Sequence, residues 1–155
     1  MKKLLLNLLL LISSFMYCQN MSKSETISYI NNKLLNRNLS IDNQGIIKIE
    51  KTTKNPISGT GIFYYKDVEI DYYPFHPFQV RFKCKNTNEC IENLDYNPDY
   101  ETTKIKYSNM LSISFENKEE YLSVLNAFNY LFKILENENL KKNNNDPFSP
   151  ENYKK

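Results

Sequence analysis

The chain has 155 residues, among them 20 Lys or Arg, 18 Asp or Glu, one His, three Cys, three Gly and no Trp. That length suits a single domain with one core, and a formal charge of +2 excludes the dense basic surface that a nucleic-acid footprint requires. With glycines only at 45, 59 and 61, a glycine-rich loop that cradles phosphate is excluded as well.

The N-terminus reads "MKKLLLNLLLLISSFMYCQN". Lys2 and Lys3 form a basic start, Leu4 to Ile12 an apolar run broken by Asn7, and Ser13 and Ser14 open a more polar stretch. This is the layout of a secretory signal peptide, expected over residues 1–18. The apolar run falls short of the roughly 20 residues that span a bilayer, although a retained anchor helix is the rival reading. Cleavage after Cys18 would leave Gln19 first. Alternatively Cys18 becomes the lipid-bearing first residue of an outer-membrane lipoprotein, yet the places that favour Leu and a small residue hold Phe15 and Tyr17. Residues 1–20 contain no acid, so Lys2 and Lys3 account for the whole charge excess. The processed chain of about 137 residues is neutral, which removes the hint of a nucleic-acid or anionic-membrane partner. The expected location is periplasmic or extracellular, with no transmembrane segment after cleavage.

Residues 22–137 read as one α+β domain. Ser22 and Glu25 have capping-box spacing ahead of a helix over about Lys23–Asn36, with Ile27, Ile30 and Leu34 on one face. The period then changes to two. Strands are expected in "GIIKIEKT" (45–52), "GIFYYK" (61–66), "VEIDYY" (68–73), "FQVRFKCK" (78–85) and "LSISFE" (111–116), with a further one near Lys104–Tyr107. "NPISGTG" and "YPFHPF" are connectors, since Pro cannot donate to a central ladder. A second helix spans about Lys118–Glu136, capped by Asn117, with Tyr121, Leu125, Phe128, Phe132 and Leu135 as its apolar stripe. The polar segment 138–155, with Pro147 and Pro150, is expected to be a disordered tail. The fold expected is an antiparallel sheet of about five to seven strands, PH-like or open, packed by both helices.

Over residues 44–136 the order of several antiparallel strands followed by a long amphipathic helix resembles the pleckstrin-homology-like superfold, which implies a bent sheet closed at one end by that helix. "ETISYINNKL" and "NAFNYLFKIL" resemble the first and last helices of small exported bacterial proteins, a likeness that implies no activity.

Cys84 and Cys90 enclose "KNTNE", a turn-tolerant stretch. In an oxidising compartment two such cysteines normally pair; an unpaired thiol pair and a metal or redox site are the alternatives. A closed zinc site needs four ligands, and the processed chain offers two Cys and His76. Five intervening residues differ from the two of thioredoxin-like motifs. His76, beside Glu69 and Asp71 in sequence, lacks a nucleophile signature such as G-x-S-x-G and reads as a loop residue. Asp67, Glu69 and Asp71 alternate along a strand and could hold Ca²⁺ or serve as an acid/base pair, and Asp95, Asp99 and Glu101 occupy a turn-like segment that could hold Ca²⁺; solvated acidic surface is the plainer reading of both. Tyr64, Tyr65, Tyr72, Tyr73, Tyr96, Tyr100 and Tyr107 could grip a sugar or a protein, or serve as cross-strand packing.

No catalytic residue, cofactor or metal ligand is therefore expected. The sequence favours an exported, non-enzymatic domain that binds a protein or another component of the bacterial envelope. A carrier holding an apolar small molecule between sheet and final helix is the alternative, and a hydrolase stands third.

Overall fold

The structure, a computed structural model, describes residues 21–52, 59–71, 78–86, 88–97 and 102–145. Helix α1 (Lys23–Lys33) begins at the capping box. Ser22 N donates to Glu25 Oε2 at 2.7 Å and Glu25 N donates to Ser22 Oγ at 3.3 Å, which satisfies two donors at the helix start. The bond from Ser22 N foremost, and the Ser22 hydroxyl donating to Glu25 Oε2 at 2.7 Å, hold the Glu25 carboxyl below its ordinary pKa. The buried Thr26 is satisfied in the same place, its hydroxyl donating to Ser22 O at 2.8 Å. The helix stops at Lys33 instead of near Asn36 because Leu34 is already extended, with φ −78° and ψ 108°, and Asn36, with a left-handed φ of 55°, then turns the chain into a strand.

That strand, β1 (Arg37–Ile41), is one the period-two patterns did not single out; it pairs antiparallel with β2 (Ile46–Lys51). Asp42 makes the turn, its Oδ1 accepting from Gln44 N and Ile46 N at 2.8 Å each. Gly45 has φ +89°, and a Cβ there would lie 2.9 Å from the Tyr65 ring, so the turn needs glycine on two counts. There follow β3 (Thr60–Tyr64), β4 (Val68–Asp71), β5 (Gln79–Cys84), β6 (Ile91–Asn97), β7 (Thr102–Ser108), β8 (Met110–Ser114) and helix α2 (Lys118–Asn145).

The strands form two antiparallel sheets, ordered β1-β2-β3-β6-β7 and β4-β5-β8. The chain thus changes sheet between β3 and β4, between β5 and β6, and within one residue, Asn109, between β7 and β8. Cys84 N donates to Asn109 O at 2.9 Å, tying the end of β5 to that last crossing. Where the sheets meet, Leu111 of β8 rests on Gly61 of β3, and a Cβ on Gly61 would come within 2.7 Å of it.

The core lies between the inner faces of the sheets and the two helices. Phe82 is fully buried at its centre, with ring centroids 5.0 Å from Phe63, 5.0 Å from Phe128 and 6.2 Å from Phe132. On α2 the buried row is Tyr121, Val124, Phe128, Leu131 and Leu135, the alternating three-and-four spacing of a narrow helix seam. Leu125 and Phe132, expected in that row, flank it half-buried. Each large apolar side chain buried this way contributes roughly 1.5–3 kcal/mol.

The fold is α+β, with an N-terminal and a C-terminal helix on antiparallel sheet, as the sequence led us to expect. Two details differ. The strands divide between two sheets, and α2 continues to Asn145, eight residues into the segment expected to be a disordered tail. Glu, Leu and Lys in "ENENLKK" are good helix formers without a proline, so a helix already anchored by its packed turns propagates through them. An ion pair from Lys23 Nζ to Glu138 Oε2, 3.0 Å, ties this extension to α1.

Candidate functional site

Cys84 closes β5 and Cys90 immediately precedes β6. They are joined by a disulfide with Cα atoms 5.8 Å apart, and Cys90 N donates to Cys84 Sγ at 3.0 Å. Because β5 and β6 belong to different sheets, the bridge staples one sheet to the other rather than two neighbours in one ladder.

Two acids of the row expected on β4 stand opposite cations of the strand beside it. Glu69 stands opposite Lys83 and Asp71 opposite Arg81, and Arg81 Nη2 lies 3.5 Å from Asp71 Oδ2. Asp67 sits in the turn before the strand, where its backbone carbonyl accepts from Lys85 N at 2.8 Å. Among the described residues no group of three His, Cys, Asp or Glu side chains is placed to hold a metal ion. Asp95 pairs with Lys106 at 3.1 Å across the β6–β7 hairpin. His76, Asp99, Glu101, Tyr72, Tyr73, Tyr100 and Cys18 with its signal segment lie outside the described residues, as does the tail from 146.

Two of the tyrosines are structural. The hydroxyl of buried Tyr65 donates to Leu135 O at 3.2 Å, and burial foremost pushes its pKa up. Tyr64 leans on Tyr65 with centroids 5.2 Å apart and carries Lys66 Nζ 6.0 Å above its ring. The space between sheet and α2, where a carried ligand was the alternative expectation, is filled by Phe82, Val80, Phe128, Leu131 and Val124, each fully buried. A groove of about 530 Å³ runs instead along the outer side of the helix pair, lined by Thr26, Tyr29, Ala127 and Tyr130 among others. Its end is fixed by Tyr130 Oη donating to Met21 O at 3.0 Å.

Tyr107 belongs to a surface of different character. Residues directly opposite in an antiparallel ladder share a face, and two rows cross the outer face of the five-stranded sheet to its margin: Thr60–Leu94–Ile105 and Ile62–Glu92–Tyr107. The rows begin buried or half-buried and end on β7 with Ile105 and Tyr107, each 56% exposed. Thr103 continues this face; Lys104 and Lys106 point to the other and are exposed too. The strand is the last in its sheet, so the outward half of its backbone N–H and C=O groups has no ladder partner among the described residues.

The opposite margin is finished differently. There Asn31 of α1 lays its side-chain amide on β1, Oδ1 accepting from Leu39 N at 2.6 Å and Nδ2 donating to Leu39 O at 3.0 Å. On one edge a helix side chain thus imitates a neighbouring strand at Leu39, while β7 has no such cover among the described residues. Sequence reasoning noted a strand near Lys104–Tyr107 but missed β6 beside it, whose acidic and Asn content reads as turn. The usable signal was "KIKY", since lysines at alternate positions of a short strand mark a sheet edge.

No helix among the described residues is long and apolar enough to cross a membrane. Compared with known proteins, the chain matches no protein-family model, no curated protein and no solved structure.

Proposed function

We propose that the chain is an exported, non-enzymatic binding domain of the bacterial cell envelope, and that it takes its partner on the β7 margin of the larger sheet. The observation that carries this reading is the pair Ile105 and Tyr107, more than half exposed on an end strand. An exposed strand edge with apolar side chains is a liability that folded proteins ordinarily blunt, and on the β1 side Asn31 does so. On β7 the blunting is partial: Lys104 and Lys106 charge the edge, while Ile105 and Tyr107 stay uncovered, and a partner strand would cover them.

Three further features agree. The basic and then apolar N-terminus has the form of an export signal. The Cys84–Cys90 bridge suits an oxidising compartment, periplasmic, extracellular or at the outer membrane. The β4 acids face Lys83 and Arg81 across the ladder, so their charges serve the sheet surface rather than proton transfer. The test is site-specific photo-cross-linking in cells, with the reactive residue at Tyr107 or, as control, at Ser40 near the opposite margin of the same face. A discrete adduct from Tyr107 and none from Ser40 is expected. Adducts from Ser40 alone, or from neither position, would overturn the reading.

A further inference from the structure

The chemistry of β7 narrows the class of partner, an inference that rests on the binding reading above. Along Thr102–Ser108 the side chains alternate: Thr103, Ile105 and Tyr107 on one face, Lys104 and Lys106 on the other. Lys106 is engaged by Asp95, whereas Lys104, opposite the same Asp95 in register, carries no ion pair among the described residues. Among the described residues of this face, one acid therefore answers two cations.

The same pattern argues against a second copy of this chain as the occupant. A two-fold axis normal to the sheet would pair β7 antiparallel with itself, and directly opposed residues share a face. Every well-overlapped register then sets lysine against lysine: Lys104 on Lys104, Lys104 on Lys106, or Lys106 on Lys106. Like charges directly opposite destabilise the pairing. The edge is guarded against self-association while staying open to a strand of opposite charge.

We propose that β7 accepts an extended polypeptide segment of another protein by strand addition, the segment carrying Asp or Glu at alternate positions toward Lys104 and Lys106 and apolar or β-branched residues toward Ile105 and Tyr107. Backbone hydrogen bonds to the open edge hold the segment, and the alternating side chains select it. The lysine face sets the sign of charge, and Ile105 and Tyr107 supply the apolar contact.

The test uses the full processed chain, oxidised, and a fluorescent seven-residue peptide Thr-Glu-Val-Glu-Val-Glu-Thr, with a second peptide bearing Lys for Glu and a third bearing Pro for the central Glu. Fluorescence anisotropy should show saturable binding of the acidic peptide that weakens with added salt. The Lys peptide should bind about tenfold more weakly, the swing expected of two cross-strand charge pairs, and the Pro peptide, which loses a ladder donor, should be weakened as well. The double variant Lys104→Glu, Lys106→Glu should reverse the preference between the charged peptides. The milder Lys104→Gln should reduce it while keeping Lys106 and its bond to Asp95. Thermal melts of both variants establish that they fold. Equal binding of the two charged peptides, unchanged preference in folded Lys104→Gln, or no binding of the acidic peptide would overturn the proposal. If the Tyr107 cross-link survives such a result, the binding surface stands and only the acidic-strand chemistry falls.

Discussion

Cutting the bridge between the sheets should weaken the fold by a calculable amount. The bond closes a loop with a sequence separation of 6, and the chain-entropy relation gives about 2 kcal/mol for so short a loop. For a domain of this size that corresponds to roughly 6–10 °C in Tm. Because Cys84 is 4% exposed, serine there would bury a hydroxyl, so Cys84→Ala with Cys90→Ala is the cleaner perturbation; reduced wild-type protein is its natural companion. Urea denaturation and thermal melting of oxidised, reduced and double-alanine forms measure the change. Both altered forms should fall by similar amounts with an unchanged denaturant slope. A Tm loss under about 2 °C would mean that the sheets are held in place without the staple. The relation places the effect in the unfolded chain, so any steepening of the slope in the reduced form should be small for so short a loop.

Other perturbations probe the packing beneath that staple. Phe82→Ala should cost about 3–5 kcal/mol by denaturant titration, because it leaves Phe63 and Phe128, both 5.0 Å away by ring centroid, facing a void; a cost below about 1.5 kcal/mol would show that the core collapses around the gap. Tyr65→Phe removes the hydroxyl bond to Leu135 O and should cost about 1 kcal/mol near neutral pH. Its pKa is raised in the fold, so Tyr65 contributes stability that is fully present below the unfolded phenol pKa of about 10 and lost as pH rises through the folded value; the variant should therefore show a shallower alkaline fall in Tm than the wild type. Arg37→Met should raise stability by about 1 kcal/mol, since Arg37 Nη1 is buried without a hydrogen-bond partner among the described residues and burial lowers the guanidinium pKa; an unchanged or lower midpoint would show that its charge is compensated.

Much of this architecture was legible because its signals are local. Ser22 with Glu25, the alternation in "FQVRFKC" and the long apolar stripe of α2 each reported their element without help from the rest of the chain. The division into two sheets was not legible, since it depends on which strands pair, and pairing of β3 with β6 across the intervening β4 and β5 leaves no local mark. β1 was hidden by its shortness and by Asn38 and Ser40, whose polarity suits the solvent face of an edge. The candidate site was half legible: "KIKY" reads as a strand from sequence, yet its openness appears only once β7 is known to end its sheet and Asn31 is seen to close the other side. The acids of β4 were readable as a row but their facing cations were not, because Arg81 and Lys83 lie across the ladder, not along it.

Residue-resolved amide hydrogen exchange over Thr102–Ser108 meets the central claim head on. An open edge predicts that successive amides of β7 alternate, slow where they bond to β6 and fast where they face outward, while both margins of β2 are slow. Saturation with the glutamate peptide should slow the outward set in β7 and leave β1 unchanged. Uniformly slow exchange along β7 in the free protein, or peptide protection that falls elsewhere, would contradict an edge held open for a partner strand.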